Sequence, residues 1–183
     1  RDPETAAMAI QASLTGHIVF STIHTNDAVG VVTRLIDMGV EPFLVGSSLS
    51  VAIAQRLVRI LCPQCKRSAS GDEILMRLVQ EGVSQEKLDQ LHIEVDPYLD
   101  YAEAQGCTNC RHTGYIGRRA VFDVFEIDRE IRSLVSSPQF TDGALRELAL
   151  RKGMTTLVSH GLKLVEDEST TFAEVIRVLG ETN

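Results

Sequence analysis

The sequence contains no Gly-x-x-x-x-Gly-Lys-[Ser/Thr] motif and no Gly-Lys dipeptide at all. Without that glycine-rich turn and its lysine, nothing in these 183 residues can cradle the β- and γ-phosphates of a nucleotide. No apolar run approaches the roughly 18 residues that a membrane span requires. Positive charge is also scarce: 18 Lys and Arg against 25 Asp and Glu give a net charge of −7, which argues against general nucleic-acid binding. The deficit is local. Residues 72–103 hold nine acids (Asp72, Glu73, Glu81, Glu86, Asp89, Glu94, Asp96, Asp100 and Glu103) against Arg77 and Lys87, so that stretch accounts for the whole excess. There are no internal repeats, no low-complexity tract and no initiator Met, and the chain is expected to be a piece of something longer.

Cysteine is sparse as well, and its four copies fall in two Cys-x-x-Cys knuckles, Cys62-Pro-Gln-Cys65 and Cys107-Thr-Asn-Cys110. A tight knuckle lets two thiolates reach one ion, and two knuckles complete an S4 shell suited to Zn²⁺. Lys66, Arg67 and Arg111 adjoin the ligands, where positive charge would favour thiolates. Two disulfides, or a redox-active pair, are the alternatives. The chain is not cysteine-dense, and a redox pair would leave one knuckle unexplained. The 41 residues between Cys65 and Cys107 exceed the usual 15–20 of a compact ribbon, so an insertion must loop out between the halves. Loop entropy grows slowly enough to allow it.

The pattern of elements is α/β. Asp2-Pro3-Glu4 opens a helix, with Asp as cap and Pro in the first turn, and Ala6 to Ala12 continue it on a small apolar face. His17 to Ile23 predicts a short, fully buried strand, and His24-Thr25-Asn26-Asp27 a polar loop at its C-terminal end, capping a helix to about Met38. Glu41-Pro42 predicts a helix running through Leu44, Leu49, Ile53 and Leu57 towards Arg59. Short acidic helices are expected over 72–92 with Ile74, Leu75, Leu78, Val79, Leu88 and Leu91 inward. A strand over 120–127 follows, then helices at 129–136, 141–152, 155–166 and one capped by Thr170 or Thr171. Ligands of α/β units gather at loops such as 24–27. A core histidine beside a helix cap is the plainer account of His17 and His24, and composition alone does not choose.

Several stretches together resemble the secretion ATPases of type II secretion and type IV pilus assembly. They are Arg1-Asp-Pro-Glu-Thr-Ala, Leu14-Thr-Gly-His-Ile-Val-Phe-Ser-Thr-Ile-His-Thr-Asn-Asp-Ala28, Asp37-Met-Gly-Val-Glu-Pro-Phe43, Gln55-Arg-Leu-Val-Arg59, the Cys-Pro-x-Cys knuckle and Gly114-Tyr-x-Gly-Arg118. The resemblance covers nearly the whole chain. It is nearest to the type II branch, with pilus extension next; the retraction ATPases generally lack the four cysteines. It implies the C-terminal part of a RecA-like P-loop ATPase domain with an inserted four-cysteine zinc subdomain and a C-terminal helical region. The stretches would be 1–61 for the ATPase core, 62–112 for the zinc subdomain and 113–183 for a strand and helices.

On that resemblance Arg1-Asp2 ends the Walker B stretch, with Arg1 near the chemistry, and residues 15–26 form a histidine box. His24 would sense the γ-phosphate, His17 would hold the loop, and Thr25 would face the nucleotide. Arg56 and Arg59 would lie near the nucleotide or between protomers. The resemblance further implies ATP and Mg²⁺ in the longer protein, a homohexamer, partners among inner-membrane platform proteins, and a cytoplasmic location at the bacterial inner membrane. The fragment itself is expected to be inactive. The rival reading is a zinc-ribbon adaptor that binds a partner protein without catalysis.

Overall fold

A computed structural model describes residues 2–180. Helix α1 (Pro3–Leu14) begins as its sequence predicts, because the Asp2 carboxylate accepts the Thr5 amide at 2.8 Å and Pro3 needs no donor of its own in the first turn. It stops at Thr15, whose hydroxyl donates to the Ala12 carbonyl at 2.9 Å, and Gly16 then takes a left-handed φ of +90°. Helices α2 (Gly30–Asp37) and α3 (Pro42–Ser48) follow. Strand β1 (Val51–Leu61) pairs with the later β4 (Tyr115–Glu126). Between them lie β2 (Lys66–Ser70), α4 (Gly71–Gln80), α5 (Gln85–Gln90) and β3 (Asp100–Ala104). Helices α6 (Arg129–Val135), α7 (Asp142–Arg151), α8 (Leu157–Glu166) and α9 (Phe172–Leu179) complete the chain, the last capped by Thr171, whose hydroxyl accepts the Glu174 amide.

Three expectations are corrected. Residues 17–25 form neither helix nor strand, and Ile18 and Phe20 are 85% and 94% exposed. A buried strand needs ladder partners on its edges and cover on its faces, and the described residues supply neither. The long helix expected through Leu57 is only α3; the rest is β1. Its burial alternates, with Ala52, Ala54 and Val58 inside and Val51, Ile53 and Leu57 outside, which is the period of a strand. Val79 faces solvent, whereas Ile74, Leu78, Leu88 and Leu91 are buried as expected. Strands β2 and β3 were not anticipated.

The chain folds into two compact units, one from the chain up to Ala54 with Phe122–Thr156, the other from Gln55–Val121 with the chain from Leu157 onward. The backbone passes between them within β1, back within β4, and again between α7 and α8. In the first unit, helices α1, α2, α3, α6 and α7 enclose Val32, Val45, Phe125, Ile131, Val135 and Leu145. In the second, Val58, Leu78, Val121, Val165, Val175 and Leu179 are buried. Two glycines there allow close approach. A Cβ on Gly71 would fall 1.9 Å from the Asp96 carbonyl oxygen, and one on Gly161 would crowd Val175 and Leu179 at 3.2 Å.

Candidate metal centre and histidine loop

The four-cysteine centre is built by strands. After β1, the Cys62 amide donates to the Gly114 carbonyl at 2.8 Å, and the Cys62 carbonyl accepts from the amides of Cys65 and Lys66, closing the first knuckle. Strand β2 leaves that knuckle and β3 runs into the second. Their antiparallel register, Lys66 opposite Ala104 through Ser70 opposite Asp100, brings the knuckles together and loops the acidic helices out. The second knuckle turns tightly, with the His112 amide on the Cys107 carbonyl at 2.8 Å and left-handed φ at Arg111 and His112. Gly106 and Gly114 flank it at φ of +102° and +80°, and a Cβ on Gly114 would strike the Ala104 side chain at 2.6 Å.

All four sulfurs lie within 4.8 Å of one another, and none is in a disulfide. The separations are 3.9 Å for Cys62–Cys107 and 3.8 Å for both Cys65–Cys110 and Cys107–Cys110. A regular tetrahedron with metal–sulfur bonds near 2.3 Å has edges of about 3.8 Å, so the sulfurs fit one four-coordinate ion. Burial pushes the Cys65 thiol up to about 12. At Cys110 burial acts the same way, but the amides of Cys107 and Gly114, 3.1 and 3.2 Å from its sulfur, offset it and hold the thiol at about 6. Cys62 is lowered against its burial by the Gln64 amide and the Asn109 side chain. The expected lysine and arginine help turns elsewhere: Lys66 pairs with Glu168 at 2.7 Å, and Arg67 with Glu73. Four thiolates would fill the shell and leave no open position for substrate.

The histidine loop is the other candidate. The His17 Nδ1 lies 3.1 Å from the Thr15 hydroxyl and 3.2 Å from the Ala12 carbonyl, folded onto the end of α1. His24 is exposed. The Thr25 hydroxyl donates to the Asp27 carbonyl at 2.8 Å, turning the chain towards α2. Arg1 lies outside the described residues. Arg56 is half-buried on β1 with Nη1 on the Gln55 carbonyl at 3.1 Å.

Arg59 is held inside the second unit. Its Nε and Nη2 reach Glu174 Oε2 at 2.9 and 2.6 Å, its own amide reaches Oε1 at 2.9 Å, and its guanidinium lies 4.1 Å above the Tyr115 ring. Arg177 approaches the same carboxylate at 2.7 and 2.8 Å. Burial would raise the Glu174 carboxyl, but Arg177 and Arg59 together hold it at about 2. Sequence reasoning missed Glu174, although an acid amid the apolar residues of Phe172-Ala-Glu-Val-Ile was a signal that it needs a buried partner.

These features define a mixed α/β protein with a four-cysteine site positioned to hold one metal ion. The model of the type II/IV secretion system protein family matches residues 1–177, and the chain belongs to that family. It is 41% identical over 181 residues to a Pseudomonas aeruginosa protein named type II secretion system protein E, which covers 99% of this chain and 33% of that protein. To the type II secretion system ATPase E of Vibrio cholerae it is 42% identical, covering 100% of this chain and 33% of that one. To the type IV pilus assembly ATPase PilB of Myxococcus xanthus it is also 42% identical, over 96% of this chain and 29% of that one. The chain thus spans about a third of the length of these relatives. No helix among the described residues is long and apolar enough to cross a membrane.

Proposed function

We propose that this chain is the C-terminal part of a RecA-like ATPase that powers type II secretion, coupling ATP hydrolysis to pseudopilus assembly. The observation that carries the reading is the family match from residue 1 to residue 177, joined to relatives named as secretion and pilus ATPases. A free-standing adaptor has no need of the histidine-rich loop within that match. The metal is Zn²⁺ with a structural role, supported by the four-sulfur geometry. His24, exposed on its loop, senses the γ-phosphate, with Thr25 beside it and Arg1 near the reacting groups. In the longer protein, ATP and Mg²⁺ bind chiefly to residues that this sequence lacks. The active form is a homohexamer working with inner-membrane platform proteins on the cytoplasmic side, and Arg56 serves a protomer interface.

Two measurements test this. The 183-residue chain alone has no ATPase activity and binds ATP no tighter than roughly millimolar. One charge-assisted imidazole contact supplies about 1.5–3 kcal/mol, whereas a millimolar dissociation constant needs about 4. Micromolar ATP binding to the chain by calorimetry overturns the placement of the nucleotide site. In the longer ATPase, His24→Ala lowers turnover at least about tenfold, a little over 1 kcal/mol of barrier; a wild-type rate reduces His24 to an exposed loop residue. The pilus-assembly reading is kept alive by the equally similar Myxococcus relative. Complementation of strains lacking either ATPase decides between the two.

A further inference from the structure

The loop that carries His24 is gripped at its root by side chains from the second stretch of its own unit. Asp123, on β4, is only 2% exposed, and its Oδ2 accepts the Ala28 amide at 3.0 Å. Asp27 Oδ1 accepts the Gly30 amide at 2.7 Å, while its Oδ2 receives Arg146 Nη1 at 2.6 Å. Arg146, on α7, also binds Asp142 Oδ2 at 2.6 Å, and the Thr33 hydroxyl of α2 donates to Asp142 Oδ1 at 2.9 Å. A Cβ at position 30 would press Asp27 Oδ1 at 3.2 Å, so a glycine there lets the clasp close.

Asp123 is more than packing requires. One of its oxygens, Oδ1, is buried without a hydrogen-bond partner among the described residues. A hydroxyl acceptor would hold the Ala28 amide without burying a second polar atom. The expense is understandable where the direction of a working loop has to be fixed. We infer that Asp123 and Arg146 are positioning residues which set the direction of the His24 loop from its root. The inference rests on the phosphate-sensing reading of His24 for its purpose, though not for its geometry.

The geometry is tested by NMR on the 183-residue chain. Asp123→Ala and Arg146→Ala each speed hydrogen exchange of the Ala28 amide at least about tenfold and lower the heteronuclear NOE across His24–Asn26. The amides of α4 stay unchanged as a control on the fold. Asp123→Asn, which keeps an oxygen for Ala28, restores protection. If Asp123→Ala fails to fold, Arg146→Ala and Asp27→Asn give the same readout. Unchanged exchange and order in the loop overturn the inference. Purpose is tested in the longer ATPase by a double-mutant cycle. If Asp123 acts through His24, then His24→Ala combined with Asp123→Ala turns over no more slowly than His24→Ala alone; independent, additive losses overturn it. Should His24→Ala alone cost nothing, the sensing reading fails, and the Ala28 exchange still decides whether the clasp positions the loop.

Discussion

The four-cysteine centre and the histidine loop are opposite solutions to holding reactive groups in place. At the centre, each knuckle is closed by its own backbone bonds, the β2–β3 ladder fixes their spacing, and amides and Asn109 reach the sulfurs. The loop is held at its ends, where the His17 ring rests against the end of α1 and Asp27 and Ala28 are gripped at its root, while Ile18, Phe20 and His24 stand exposed. The first is an organising device for its unit. The second leaves most of its side chains in solvent. Damage to the centre should therefore be read in folding, and damage to the loop in function.

The largest expected effect follows from stripping the metal. A reduced sample holds one Zn²⁺ per chain, and chelation or Cys62→Ser or Cys107→Ser loosens residues 60–112, because metal binding there is coupled to folding. Elemental analysis of a folded, reduced sample without metal ends that side of the comparison. Next, Gly71→Ala forces a methyl group into the Asp96 carbonyl, and thermal denaturation should show a loss of about 2–4 kcal/mol.

Smaller again is Glu174→Gln. A fully buried broken pair costs about 3–5 kcal/mol, but Arg59 and Arg177 are partly exposed, so about 2–3 kcal/mol is expected in urea denaturation. The same carboxylate sets a pH window. Its folded value is about 2 against an ordinary 4.5. Its contribution is therefore complete above about pH 5 and is lost as pH falls from 4.5 through 2, and Glu174→Gln should abolish that part of the acid dependence. The smallest effect belongs to the loop: His17→Ala should cost about 0.5 kcal/mol or less, since its contacts are exposed. A loss of several kcal/mol would mean that the loop, too, organises its unit.

Much of this was legible in the sequence. The Asp2 cap, the helices after residue 128 and the pairing of two knuckles into one site follow from local rules of capping, period and ligand spacing. The misreadings have one physical origin. Val51 to Leu61 holds apolar residues at both helical and strand spacings, and only the partner strand β4, more than fifty residues away, selects the strand. Strands β2 and β3 are short and polar, stabilised by each other rather than by any apolar pattern of their own. His17 to Ile23 failed in the reverse direction: its β-branched content reads as a strand, yet a strand is a property of neighbours. Asp123, Arg146 and Glu174 carry no motif, and the geometry that gives them meaning spans about a hundred residues of chain.

The chain's repeated passage between its two units has a consequence for its birth. Arg59 must wait for Glu174, 115 positions later, and at about 5–20 residues per second a ribosome takes roughly 6 to 20 s to deliver it. Cys110 is made well before then, so an ion held by the four cysteines would tie the nascent second unit while α8 and α9 are still unwritten, standing in for those helices during that interval.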